Sequence, residues 1–310
     1  MIKHTHTTPL VVVDHFRMDF DKTTVIEDLS FVVHKGETFG FLGSNGSGKT
    51  TTIRALLGIY PPTGGELLVG GNPYVVDGII KLGYLPEERG LYKKENVIDV
   101  MTYFGQLKGM RRQAARDWSL DYLKKVDLAS KATVRLDKLS GGQQQKIQLG
   151  ITIINNPDLL ILDEPTKGFD PVNRRLLMDI IEEHQQKGAT VIFVTHQMEE
   201  VERLCDRILL LKDGKARLYG SIDHVKKEFG GHILEITSDA PIPANPKLYH
   251  IKRKEGTTSF LIPIADLLTI QKSLSKANIT YTRFELKRPS LDDIFIEVYG
   301  AKQHKEPTHA

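Results

Sequence analysis

The residues Gly43, Ser44, Asn45, Gly46, Ser47, Gly48, Lys49 and Thr50 follow an apolar run, Phe39 to Leu42, and lead into a helical stretch from Thr51 to Leu57. A strand, a glycine-rich loop ending in Lys-Thr and a helix form the context in which backbone N–H groups turn inward around phosphate oxygens. The partial positive charge of the helix N-terminus adds to that attraction. Lys49 is expected to reach the β- and γ-phosphates, and Thr50 to offer its hydroxyl to magnesium. A second apolar run, Leu159 to Leu162, delivers Asp163 and Glu164 to a strand's carboxyl end, where open α/β sheets bind ligands. Asp163 is placed to hold magnesium, and Glu164 to polarise an attacking water. His196 ends a third run, Val191 to Thr195, and should emerge on the same edge near the γ-phosphate. Together these residues predict binding and hydrolysis of ATP with Mg2+.

The elements that must position them follow from the hydrophobic pattern. Continuous short runs, including Ile208 to Leu211, read as strands buried on both faces, the habit of a parallel sheet covered by helices. Helical stretches lie between them, for example Arg174 to Gln186, so the main body is expected to be α/β. Residues 95–138 read as a helical subdomain, with apolar Val97, Val100, Met101 and Phe104, then Trp118, Tyr122 and Val126, at helical spacing. Its Arg111, Arg112, Arg116, Lys124 and Lys125 read as a solvated helix face. After Gly230-Gly231 the pattern changes to a small α+β module over 230–300. It holds a strand from Ile233, an extended pair around Glu255-Gly256, a helix near Ala265 to Lys276, a strand near Tyr281 to Leu286 and a last helix from Leu291. Residues 301–310, and the histidines His4, His6, His304 and His309, read as tails.

Composition narrows the function classes. In 310 residues the net charge is only +3 and the basic residues are dispersed, so no nucleic-acid partner is expected. No apolar run reaches the roughly 18 residues of a membrane-spanning helix, so a membrane role must come through a partner. The single cysteine, Cys205, excludes an internal disulfide and reads as a small buried apolar side chain. With no signal-peptide core at the start, a cytoplasmic chain is expected.

Between the phosphate loop and Asp163 lies Leu139-Ser140-Gly141-Gly142-Gln143, opening a helix that runs to Ile154. Alone, Ser140 is an ordinary N-cap. In order and spacing, however, Gly43 to Thr50, Leu139 to Gln143, Leu159 to Pro165 and His196 resemble the ATP-binding cassette of transporters, over roughly residues 10–222. The resemblance implies a P-loop NTPase cassette with a helical subdomain, in which Gly43 to Thr51 hold the nucleotide and Phe20 stacks on adenine. It implies that Ser140, Gly141, Gly142 and Gln143 complete the γ-phosphate site of a second cassette, bound head to tail. Gly83 to Glu87 resembles the segment that ends in the family's coupling glutamine, which places Glu87 at the metal. Lys167-Gly168-Phe169-Asp170 resembles the loop crossing the dimer interface, where serine or alanine usually stands for Lys167 and leucine for Phe169. Arg288 to Phe295 resembles the short extension on bacterial cassette subunits of the sodium-extrusion and drug-export type. These likenesses imply an exporter's ATPase subunit, peripheral on the inner face of the cell membrane and working through a separate membrane permease. A soluble cassette ATPase acting on ribosomes or DNA, and an unpartnered regulatory nucleotide-binding module, are the alternatives.

Overall fold

The computed structural model describes residues 8–73, 80–88, 90, 92–228, 232–238, 249–254, 257–262 and 267–300. Gly230-Gly231, Glu255-Gly256, the four terminal histidines and residues 301–310 lie outside the described residues. The chain divides into two compact units, Met1–Tyr219 and Gly220–Ala310.

The first unit contains two sheets. A three-stranded antiparallel sheet takes β1 (Pro9–Phe20), β2 (Thr23–His34) and β4 (Gly64–Val69) in the order β2-β1-β4. A six-stranded sheet takes β3 (Thr38–Gly43), β5 (Leu82–Leu85), β6 (Leu159–Asp163), β7 (Thr190–Thr195), β8 (Arg207–Lys212) and β9 (Lys215–Ser221), in the order β5-β6-β7-β3-β8-β9. The pairs from β5 through β8 are parallel. Every residue of β3, β6 and β7 is buried, which is why these strands read as unbroken apolar runs. This order brings the carboxyl ends of β3, β6 and β7 side by side, so the loop after β3, the acidic pair after β6 and the histidine after β7 share one edge.

The antiparallel sheet was not anticipated from the sequence. Its apolar side chains meet those of β3 and β6 to β8 in one core with the helix α1 (Lys49–Leu56), and Phe31 stacks on Phe39 with ring centroids 5.5 Å apart. The 95–138 segment forms α2 (Val97–Leu107) and α3 (Arg112–Lys125), which pack on α4 (Gly141–Ile153). A Cβ at Gly150 of α4 would lie 2.4 Å from the Tyr122 ring, so only glycine lets α3 approach this closely. Arg111, Arg112 and Arg116 are exposed, and Lys124 and Lys125 pair with Asp121 and Glu183, as a solvated face should. Between β6 and β7 runs α5 (Pro171–Gln186), and after β7 the short α6 (Met198–Leu204). α5 begins earlier than the expected Arg174 because Asp170 accepts from the Val172 and Asn173 N–H groups and Pro171 suits the first helical turn. Cys205 is free and buried.

The second unit opens with α7 (Ile222–Glu228) and contains an antiparallel sheet of β10 (His232–Thr237), β11 (Tyr249–Lys254), β12 (Thr257–Ile262) and β13 (Arg283–Lys287), ordered β11-β12-β10-β13. Ile270 and Leu274 of α8 (Leu267–Lys276) bury against Leu234 and Ile236. α9 (Leu291–Gly300) starts at a reciprocal cap, in which Asp293 N–H donates to Ser290 Oγ and Ser290 N–H donates to Asp293 Oδ2. Among the described residues, no helix is long and apolar enough to cross a membrane.

Candidate nucleotide site

The loop between β3 and α1 encloses one side of a cavity of about 440 Å³, lined by Asn45, Gly46, Gly48, Lys49, Thr50 and Thr51, with Val25 beside them. Its opposite wall is Glu87, Asp163 and Glu164. The lysine is folded over the loop, with Nζ donating to the Gly43 carbonyl at 2.7 Å and the Ser44 carbonyl at 3.0 Å. Burial pulls its ammonium below the ordinary value, against the opposing pull of Glu164, Asp163 and Glu87. Asp163 is 3% exposed, and its pKa is pushed up to about 6, first by burial and then by Glu87 and Glu164. Asp163 is thus crowded by two like charges, which a cation bound beside it would offset.

Glu164 occupies the left-handed region at φ 49°, where a non-glycine residue costs on the order of 1–3 kcal/mol. Its N–H donates to the Val194 carbonyl at 2.8 Å, which fixes the turn against β7. Glu164 Oε1 lies 2.7 Å from His196 Nδ1, while Oε2 is buried without a hydrogen-bond partner. With the proton on Nδ1 the imidazole donates to the carboxylate and orients it. Beneath this turn, Thr166 donates to the buried Glu200 of α6 at 2.9 Å, tying the segment after Glu164 to the helix that follows His196.

Two family models match the chain: one described as ABC transporter over residues 26–167, the other as ATP-binding protein DrrA1-3-like, C-terminal domain, over 220–299. An uncharacterized ABC transporter ATP-binding protein of Methanocaldococcus jannaschii is 41% identical over 93% of this chain and 99% of its own. The chain is an ABC transporter ATP-binding protein. The linearmycin resistance ATP-binding protein of Bacillus subtilis is 33% identical over 93% of this chain and 97% of its own. Nod factor export ATP-binding protein I of Paraburkholderia xenovorans is 33% identical over 93% of this chain and 96% of its own. A solved structure described as the ATP binding subunit of an ABC transporter superposes with a TM-score of 0.67 at 28% identity, covering 71% of this chain and 93% of that one. As a member of this family the chain binds ATP and is the ATP-hydrolysing subunit of a transporter.

The cassette keeps its remaining sequence-predicted residues in distinct places. Ser140 caps α4, accepting from the Gln143 N–H at 3.3 Å while its own N–H donates to Gln143 Oε1 at 3.0 Å. It lines a second cavity of about 460 Å³ with Gly142, Gln143, Lys146 and Asn173. Phe169, 7% exposed, packs on Gly142, where a Cβ would stand 3.2 Å from its ring. Phe20 ends β1 and is 41% exposed, so it is not a core phenylalanine; it meets Tyr60 edge to face at 5.4 Å. Tyr60, which also lies under the Arg54 guanidinium, was not picked out from the sequence because nothing in its spacing ties it to Phe20. Lys167, in sequence only a departure from pattern, holds Glu87 Oε1 with its ammonium at 2.5 Å.

The residues present suit a magnesium nucleotide. Glu164, which lines the cavity, has in Oε2 a buried polar atom without a protein partner. No group of three or more His, Cys, Asp or Glu side chains among the described residues could hold an ion alone. Mg2+ is ordinarily bound through one or two carboxylates together with phosphates and water, and Asp163 lines the cavity together with Thr50.

Proposed function

We propose that the chain powers export through a separate membrane permease, with Mg2+ as its metal and a second cassette bound head to tail. The observation that carries the hydrolytic assignment is the Glu164–His196 contact at the wall facing Lys49 and the phosphate loop. In this reading Gly43 to Thr51 bind the phosphates, Thr50, Asp163 and Glu87 hold the metal, and Phe20 stacks on the base. Glu164 accepts the proton of the attacking water while His196 holds the carboxylate in place. Bound metal would supply charge neutralisation between the phosphates. Ser140 to Gln143 serve the partner cassette's nucleotide, since in their own chain Ser140, Gly142 and Gln143 border a different cavity.

Relatives named for Nod factor export and linearmycin resistance support the outward direction. A transporter subunit without a spanning helix among its described residues calls for a permease on another chain, and hence a place on the inner membrane face. Action on ribosomes or DNA draws no support from these relatives. The division between Tyr219 and Gly220 supports the reading of a cassette over 1–225 followed by an accessory domain over 230–300.

Two substitutions test the chemistry. Lys49→Ala should weaken ATP binding by tenfold or more, about 1.4 kcal/mol. Glu164→Gln should bind ATP as the parent does and lose on the order of 10²-fold in turnover, because only a proton acceptor is removed. Nucleotide affinity and phosphate release, measured on both proteins, separate the roles; undiminished turnover in Glu164→Gln would sink the assignment.

A further inference from the structure

The two charged departures from the cassette pattern, Glu87 and Lys167, meet each other. Lys167 Nζ lies 2.5 Å from Glu87 Oε1, joining the segment after β5 to the turn after β6 across 80 residues of sequence. The glutamate lines the nucleotide cavity beside Asp163 and Glu164. The backbone N–H of Lys167 donates to the Glu164 carbonyl at 3.1 Å, so the lysine is anchored by the same turn that carries the hydrolytic carboxylate.

We propose that Lys167 is an internal counter-cation of the nucleotide site, which holds Glu87 in the absence of metal and yields it when magnesium and nucleotide bind. The proposal rests on the reading of Glu87 as a metal contact. Lys49 is a poor candidate for this duty, because its ammonium is engaged with the loop carbonyls of Gly43 and Ser44. The Lys167–Glu87 contact is exchangeable. The side chains of Lys167 and Glu87 are 60% and 44% exposed, and ion pairs in such positions are weak and screened. A divalent hard cation is the stronger partner for a carboxylate oxygen than an ammonium on a flexible stem.

The exchange predicts effects of opposite sign. Without the ammonium, metal meets less competition for Glu87; without metal, the phosphates lose a nearby positive charge. The test is equilibrium binding of a fluorescent N-methylanthraniloyl ATP to the full chain, first in EDTA and then across a magnesium chloride titration. The proteins compared are the parent, Lys167→Met, Glu87→Gln and the double variant. Lys167→Met should lower the magnesium concentration for half-maximal binding by roughly two- to fivefold, the range an exposed pair can supply. It should also weaken binding in EDTA. Glu87→Gln should raise the magnesium requirement, and in that background Lys167→Met should no longer lower it. A displaced Glu87→Gln curve with an unmoved Lys167→Met curve overturns the counter-cation alone. Coincident parent and Glu87→Gln curves overturn the metal contact, and the proposal with it. A Lys167→Met shift that persists at full size in the double variant overturns exchange at Glu87.

Discussion

A methyl group added to Gly48 would lie 2.4 Å from Ile26 Cδ1, and the backbone there holds φ at 107°, outside the range of ordinary side chains. Two penalties therefore coincide at the residue that turns the loop into α1. Gly71 provides the comparison, with φ 82° but nothing within 4 Å of an added Cβ. Gly48→Ala should cost at least about tenfold in ATP affinity, whereas Gly71→Ala should leave affinity unchanged and lower only stability. Equal affinities for the two variants would show that Gly48 is a bystander. At this scale the loop, Asp163, Glu164 and His196 were legible in the sequence, because each follows a buried strand whose apolar run announces where it ends. The Glu87–Lys167 pair and the meeting of Phe20 with Tyr60 were not. Both join segments distant in sequence, and no local spacing encodes such a contact.

Legibility at the scale of elements depended on burial. The strands β3, β6 and β7, covered on both faces, are plain in the sequence. β1 is covered less evenly, and its alternation breaks where the register with β2 shifts between Val13 and Phe16, at a His15 with φ 45°. A bulge of this kind resets which side chains face inward, so the period-2 signal fades and the antiparallel sheet escapes notice. Helix α5 carries a titration consequence. His184 in its last turn is 6% exposed, and burial, helped by Lys187 and Lys125, lowers its pKa to about 4. The unfolded chain takes up this proton near pH 6.5 and the folded chain resists until about pH 4, so stability is lost as pH falls through that window. The expected loss between pH 7 and pH 5 is about 2 kcal/mol. Denaturant unfolding at both pH values should show a smaller pH dependence in His184→Gln than in the parent; equal differences would mean that His184 charges freely in the native state.

For the whole molecule, the separation of the cavity at Lys49 from the cavity at Ser140 gives the proposed dimer a direct test. A Ser140→Arg chain and a Lys49→Ala chain, each inactive by itself, should recover part of the activity when mixed, because one composite site in the mixed dimer retains both parent residues. Replacing Ser140 also removes the cap of α4, at a cost of about 1 kcal/mol, so circular dichroism must first show that the variant is folded. A mixture no more active than its parts, despite demonstrated mixed dimers, would refute the shared site. The strand order carries a different consequence, for synthesis on the ribosome. β3, which launches the phosphate loop, is complete by Gly43, yet its two neighbours are β7 and β8, whose pairing residues run from Val191 to Thr195 and from Arg207 to Leu211. Until that later segment has emerged, the loop's supporting strand has both edges unpaired, and Gly43 and Gly48 lack the Leu211 neighbour that braces them. The nascent chain thus carries the full sequence of its phosphate loop from Thr50 until Leu211 has emerged without a formed nucleotide site, and gains that site only when β7 and β8 close around β3.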